Sequence, residues 1–279
     1  MTSLSRRVVV VLLSSFILVS CATAPVTDPN YKPSRGQNGK DVMWIATPPA
    51  LVDKMLTMAQ VTPQDRVFDL GAGDGVIAIA AAQQFKAHAV GIEFNPKMAE
   101  FARRKVAEAG VQDKVRIVTG DIFKEDFSSA SVLTLYLLPE LNLQLRPTIL
   151  RMKPGTRVVA HSFDMGEWQA DQTASAAGAS AFMWIVPAPV QGSWRVRLEG
   201  GQTGQLDLVQ TFQNAGGSLT LGGRTVPLLG ARLRGEDFSF QFRGEDQSVS
   251  SFSGKVIGNR LSGTLSTDGA VQSLDGSRL

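Results

Sequence analysis

The 279-residue chain contains one cysteine, two histidines and two tyrosines. A single cysteine excludes a disulfide framework and a Cys-based redox pair, and beside only two histidines it excludes a zinc finger. No metal site is expected. Charge of neither sign dominates, because 28 basic residues face 25 acidic ones for a net +3. Such a balance gives a nucleic-acid partner little to hold, and none is expected. Long apolar runs are also missing: Val8 to Val19 spans 12 residues, interrupted by Ser14 and Ser15. A bilayer span needs roughly 20. What is present is a globular composition, 43% hydrophobic and 19% charged, which excludes a disordered or fibrous chain.

Arg6 and Arg7 ahead of that short run have the form of a signal peptide over residues 1–20. The run closes in Leu18-Val19-Ser20-Cys21, which resembles a bacterial lipobox. The resemblance implies that Cys21 is acylated and becomes the mature N-terminus. Residues 21–42 are rich in Pro, Gly and polar side chains without periodicity, and read as a lipid-anchored tether. The expected location is the cell envelope, as a membrane-anchored lipoprotein. The alternative is an inner-membrane anchor with the folded domain in the cytoplasm.

Two compositions follow. Over residues 43–186, short apolar runs at Val67–Leu70, Ala89–Ile92, Val115–Thr119, Val132–Leu138 and Arg157–His161 read as strands. Helical patterns at Val76–Gln84 and Pro96–Ala109 separate them, and this alternation predicts a parallel, doubly wound α/β sheet. Residues 190–279 hold 16 of the 27 glycines and alternate apolar with polar positions, as at Trp194, Val196 and Leu198. They predict a small all-β module, an antiparallel barrel or sandwich. Gly192-Ser193-Trp194 resembles the opening of lipocalin-like barrels, although a turn before a core tryptophan is the plainer reading.

The strongest local signal is Asp69-Leu70-Gly71-Ala72-Gly73-Asp74-Gly75, set between a strand and a helix. Glycines there permit a tight turn and close approach of a ligand to the backbone, ahead of a helix N-terminus. The third glycine comes one residue too early for a dinucleotide fingerprint, and no Lys-Ser or Lys-Thr follows, which excludes a P-loop. Glu93 ends the second strand 22 residues beyond Gly71, the spacing at which an acid reaches ribose hydroxyls.

These residues resemble the class I S-adenosylmethionine-dependent methyltransferases, whose first motif is an acid followed by G-x-G-x-G. The resemblance implies a Rossmann-like domain, S-adenosylmethionine as cofactor, and an enzyme. It places Asp69, Gly71, Gly73, Asp74 and Gly75 around the methionine part, with Asp69 and Asp74 near its amino group. Glu93 falls at the ribose, and Gly120-Asp121-Ile122-Phe123 puts Asp121 and Ile122 at the adenine. A closer resemblance runs through Thr47-Pro48-Pro49, Asp65, Val67 to Gly75, Val132 to Pro139, Met152-Lys153-Pro154-Gly155, Phe163 and Trp168. It is to the membrane-anchored lysine methyltransferases that act on the c-subunit of ATP synthase and on the adenine nucleotide translocase. It covers roughly residues 43–170; the prolines and tyrosine of that family's entry motif are replaced by Met43-Trp44-Ile45-Ala46.

The preferred acceptor is accordingly a protein lysine amine. Tyr136, at the carboxyl end of the fourth strand, is a catalytic candidate that orients an amine by its hydroxyl or ring face. Glu140 is a second candidate, acting on the amine through water. Enzymes that methylate exocyclic base amines usually carry Asn- or Asp-Pro-Pro-aromatic here, and Leu138-Pro139-Glu140 is not that. Arg103-Arg104-Lys105 reads as a solvated helix face, and His88 and His161 as isolated histidines near strand ends. Two alternatives stay open: a small-molecule O- or N-methyltransferase, and a non-catalytic envelope binding lipoprotein.

Overall fold

The computed structural model describes Asp28, residues 30–37 and residues 43–279. The expected signal segment, the residues that resemble a lipobox and the expected lipidation at Cys21 lie outside them.

Helix α1 (Pro49–Met58) starts at a proline, whose missing N–H costs nothing at a helix N-terminus. Strands β1 (Arg66–Leu70), β2 (His88–Glu93), β3 (Val115–Thr119), β4 (Val132–Leu135) and β5 (Arg157–His161) then build a parallel sheet. Helices α2 (Val76–Phe85), α3 (Pro96–Glu108) and α4 (Pro139–Ile149) connect them. Asn95 caps α3 by accepting from the backbone N–H groups of Lys97 and Met98.

Alternate strand residues feed two cores. Val67, Ala89, Val132 and Val159 pack with Leu51 and Met55 of α1, Ile79 of α2 and Val106 of α3. Their neighbours Phe68, Leu133 and Val158 face Leu145 and Ile149 of α4, together with Trp168 and Trp184. Both faces are therefore covered, as a doubly wound sheet requires.

The sheet is not purely parallel. A hairpin of β6 (Gln172–Ala176) and β7 (Ala179–Ile185) completes the order β3-β2-β1-β4-β5-β7-β6, with β7 antiparallel to β5. The fourth strand also ends at Leu135 rather than Leu138. Leu138 precedes Pro139, which holds it extended as the last residue before α4 and draws Tyr136-Leu137-Leu138 out of the sheet.

Part of the expected tether is docked. Tyr31 sets its ring edge-on to Phe101 of α3, and the Arg104 guanidinium donates to the carbonyls of Asp28 and Tyr31. Gly36 N donates to Trp44 O at 2.9 Å and Trp44 N to Gln37 O at 3.0 Å, folding this strap back on the segment that enters α1. The basic run is correspondingly not a solvated face: Arg103 donates to Ile117 O and Thr119 Oγ1 of β3, and Lys105 pairs with Asp74.

From Gly192 onward the chain winds an antiparallel meander: β8 (Gly192–Leu198), β9 (Thr203–Thr211), β10 (Asn214–Leu221), β11 (Arg224–Pro227), β12 (Leu229–Arg234), β13 (Asp237–Arg243), β14 (Val249–Ile257), β15 (Arg260–Thr267) and β16 (Ala270–Arg278). β11 and β12 follow one side of β10 as a single interrupted strand, and β16 returns to pair with β8. The result is a closed eight-stranded barrel and not a sandwich. Inward residues alternate as the sequence indicates, Trp194, Val196 and Leu198 on β8, Phe238, Phe240 and Phe242 on β13. The Phe240 and Phe252 rings stack at 4.8 Å in its interior.

Candidate active site

A cavity opens at the carboxyl ends of β1, β2 and β4, where the sheet order reverses. The glycine turn forms its floor. Gly71 N and Ala72 N both donate to Ile92 O at 2.9 Å, which ties the turn to the end of β2. Gly71 and Gly73 have φ of +81° and +54°, a region that disfavours any Cβ. A Cβ on Gly71 would come within 2.9 Å of Leu137, and one on Gly73 within 2.7 Å of Trp44 Nε1. Gly75 stands behind, as the left-handed N-cap of α2, and is not among the lining residues.

Glu93 joins the turn to α3: its Oε2 accepts from Gly73 N at 2.9 Å and its Oε1 from Asn95 N at 2.8 Å. Burial pushes its carboxyl upward, and these backbone donors pull partly back. Asp69 is fully enclosed, accepts from Thr134 Oγ1 at 2.7 Å, and is pushed up to about 7, first by burial and then by Asp74 and Glu93. Asp74 also lines the cavity, but its carboxylate is engaged by Lys105 Nζ at 2.6 Å. Asp121 and Ile122 border the opposite side, where Asp121 Oδ1 accepts from Phe123 N.

The structure thus brings Asp69, Gly71, Gly73, Asp74, Glu93, Asp121, Ile122 and Tyr136 to one cavity. Glu140 does not join them. It is exposed in the first turn of α4 and does not line the cavity, because Pro139 starts the helix with that position turned outward.

Four further residues complete the site. His161, buried at the end of β5, stacks on Tyr136, with Nδ1 3.1 Å from Thr47 Oγ1. Burial pushes its imidazole down to about 4, so it is neutral at physiological pH. Phe163 lies nearly parallel to Tyr136 at 6.5 Å, and Trp44 covers Gly73. The Thr-Pro-Pro motif is the one sequence signal for the Thr47 contact. The pairing with His161 spans 114 residues and has no local signature.

Asp69 and Glu93 form no ion pair among the described residues. A ligand carrying an ammonium and a sulfonium supplies the missing positive charge, and the bare glycine cradle admits it close to the backbone. S-Adenosylmethionine fits both features.

Fold and site together define a class I S-adenosylmethionine-dependent methyltransferase. Within that class the chain belongs to the family of the ANTKMT methyltransferase domain, whose pattern residues 69–172 match. It is 41% identical over 129 residues to a protein-lysine N-methyltransferase of Saccharolobus islandicus, covering 46% of this chain and 80% of that protein. It is 34% identical over 106 residues to the Mus musculus lysine N-methyltransferase of the ATP synthase c-subunit, covering 38% of this chain and 42% of that one. The chain therefore spans less than half of the mouse protein. Among solved structures, an RNA methyltransferase from Salinibacter ruber in complex with S-adenosyl-L-homocysteine is 45% identical, with a TM-score of 0.51. That likeness covers 52% of this chain and 96% of the other.

Proposed function

We propose that the methyl acceptor is the side-chain amine of a protein lysine. The observation that carries this reading is the mouth of the cavity. Tyr136 and Phe163 form an aromatic wall there, beside Met43, Phe94 and Leu138, which are exposed apolar residues lining the same cavity. An aromatic face attracts an alkylammonium by about 0.5–2 kcal/mol, and the apolar rim suits its methylene stem. The names of the Saccharolobus and mouse relatives support the same acceptor.

S-Adenosylmethionine, when bound, supplies a methyl group on a sulfonium that is transferred by in-line displacement. Gly71, Gly73, Glu93 and Asp69 would hold it, and the chain's remaining task is to align the acceptor. A lysine amine with a reference pKa near 10.4 needs about 4–5 kcal/mol to be neutral at pH 7. The rim of Met43, Phe94 and Leu138 lowers that cost by desolvating the ammonium as it enters, and the proton passes to water. Tyr136, fixed by His161 on one face, then orients the amine.

RNA, the acceptor named for the Salinibacter protein, is disfavoured by the engagement of Arg103, Arg104 and Lys105 within the fold. A methyl-labelled donor incubated with the protein and membrane extract tests the assignment. Label recovered as methyl-lysine supports it; label confined to RNA or to small organic products refutes it.

We further propose that the protein is lipid-anchored at Cys21 in the cell envelope, on the strength of the lipobox and the preceding charges. Mass spectrometry of the native protein decides the matter: an acylated Cys21 N-terminus is expected, and an intact Met1 refutes it.

A further inference from the structure

Phe212 belongs to the barrel by sequence and to the methyltransferase core by packing. It sits in the turn between β9 and β10 with φ +54°, a left-handed conformation that a non-glycine residue keeps only when its surroundings hold it. Its ring stacks on Trp168 at 6.0 Å and 16°, and the Arg146 guanidinium of α4 lies 5.4 Å from its centroid. The next residue, Gln213, is buried. It donates from Nε2 to Gln169 O at 2.7 Å, while its own carbonyl accepts from Leu233 N inside the barrel. Arg232 adds an ion pair to Asp171 at 3.2 Å.

Apart from the Arg146 contact, they converge on Trp168, Gln169 and Asp171, the end of a stretch of the catalytic domain that begins at Ser162 and carries Phe163. On its other side α4 holds it: Asn142 Nδ2 donates to the carbonyls of Phe163 and Asp164, and Arg146 Nη1 to Met165 O at 2.7 Å. Ser162, at the start of the stretch, is itself left-handed at φ +63°. The segment is thus gripped between α4 and the barrel turn, with Trp168 buried between them. The glycine turn and Glu93 hang from β1 and β2 and draw on none of these contacts.

We infer that the barrel is a positioning element of the acceptor site: its Phe212-Gln213 turn clamps Trp168 and Gln169, the far end of the stretch that α4 holds at Phe163–Met165, and so fixes where Phe163 stands at the cavity mouth. The inference rests on the Tyr136–Phe163 wall being the acceptor site. It gives the C-terminal module a role in catalysis that acts through Trp168 and not by touching substrate. Loss of the clamp moves acceptor affinity and leaves cofactor affinity alone.

The test uses the full chain with Phe212→Ala, Phe212→Tyr and, as a control on the barrel exterior, Ile257→Ser. Phe212→Ala is expected to raise the acceptor KM roughly tenfold, the scale of one lost buried aromatic contact. Its S-adenosylmethionine affinity by calorimetry stays within about twofold, and the Tyr variant and the control behave as wild type. An unchanged KM, or a loss of cofactor affinity equal to the rise in KM, overturns the inference. Hydrogen exchange supplies an arm that needs no acceptor. Amides of residues 162–169 are expected to exchange faster in Phe212→Ala, while those of β1 and β2 do not change. Unaltered exchange at 162–169 refutes the clamp. Faster exchange there, in a protein whose wild type methylates no lysine, upholds the clamp and refutes the lysine reading.

Discussion

The imidazole of His161 lies on the ring of Tyr136 with centroids 3.6 Å apart and planes 26° from parallel. Its Nδ1 shares a hydrogen bond with Thr47. One buried histidine therefore joins the segment before α1, the end of β5 and the aromatic wall at the cavity mouth. Tyr136→Phe keeps that stack and loses only the hydroxyl, whereas Tyr136→Ala loses the wall. Steady-state kinetics are expected to show kcat for the Phe variant within about threefold of wild type, and for the Ala variant down on the order of 100-fold, the scale of a misplaced acceptor. Equal losses in the two variants would assign the work to the hydroxyl instead.

Two buried groups give stability opposite slopes with pH. The folded state holds His161 at about 4 against an ordinary 6.5, so its contribution is complete above pH 6.5 and is lost as pH falls towards 4. Asp69 is raised from 3.8 to about 7, so its contribution is complete below pH 3.8 and is lost as pH rises to 7. Asp69→Asn removes the second slope. Thermal melts should show the variant gaining more over wild type at pH 8 than at pH 5. A gain that is the same at both pH values would contradict the assignment.

Asp69 also sets a pH dependence for the donor. Its carboxylate form is the one that attracts a cationic ligand, so S-adenosylmethionine should bind more tightly as pH rises through about 7. Calorimetric titrations from pH 6 to 8 check this, and Asp69→Asn should flatten the curve.

Both oxygens of Glu93 are engaged by backbone N–H groups, on the glycine turn and on the start of α3. Glu93→Gln keeps the size and gives up the charge and one acceptor. A charged hydrogen bond contributes about 1.5–3 kcal/mol, so donor affinity is expected to fall between roughly tenfold and 100-fold. Calorimetry reads this directly.

Gly73 and Trp44 are coupled by contact. Gly73→Ala strains a left-handed residue and drives its methyl against the indole, which should weaken donor binding by at least about tenfold. Trp44→Ala in that background removes the collision but not the strain. The double variant should therefore bind better than the two single losses combined allow, and strict additivity in the cycle would deny the contact.

The parts of this structure that are legible in the sequence are those with local causes. Strands such as Val115–Thr119 and Arg157–His161 stand out as apolar runs, and the turn at Asp69 to Gly75 stands out because its backbone needs glycine. Strand β6 gives no such signal because Gln172–Ala176 is a partly exposed edge strand without an apolar face. The Tyr31–Gln37 strap reads as free chain because carbonyl groups, which every residue has, hold it to Arg104. Glu140 is close to Tyr136 along the chain, whereas the turn of α4 decides which way it faces. Barrel and sandwich look alike in sequence because closure depends on β16 meeting β8, about 80 residues apart.

That same closure has a consequence for biosynthesis. β8 finds its second partner only when β16 has been made, and the last backbone bond of the ring runs from Leu279 N to Ser193 O. As the chain emerges N-terminus first, from the ribosome or across a membrane, the α/β sheet can assemble well before the barrel seals. Until it does, β8 and β15 present unpaired edges, the kind that recruit other strands. A chain shortened by its final strand would keep those edges permanently. Its first visible defect would be aggregation, ahead of any change in chemistry.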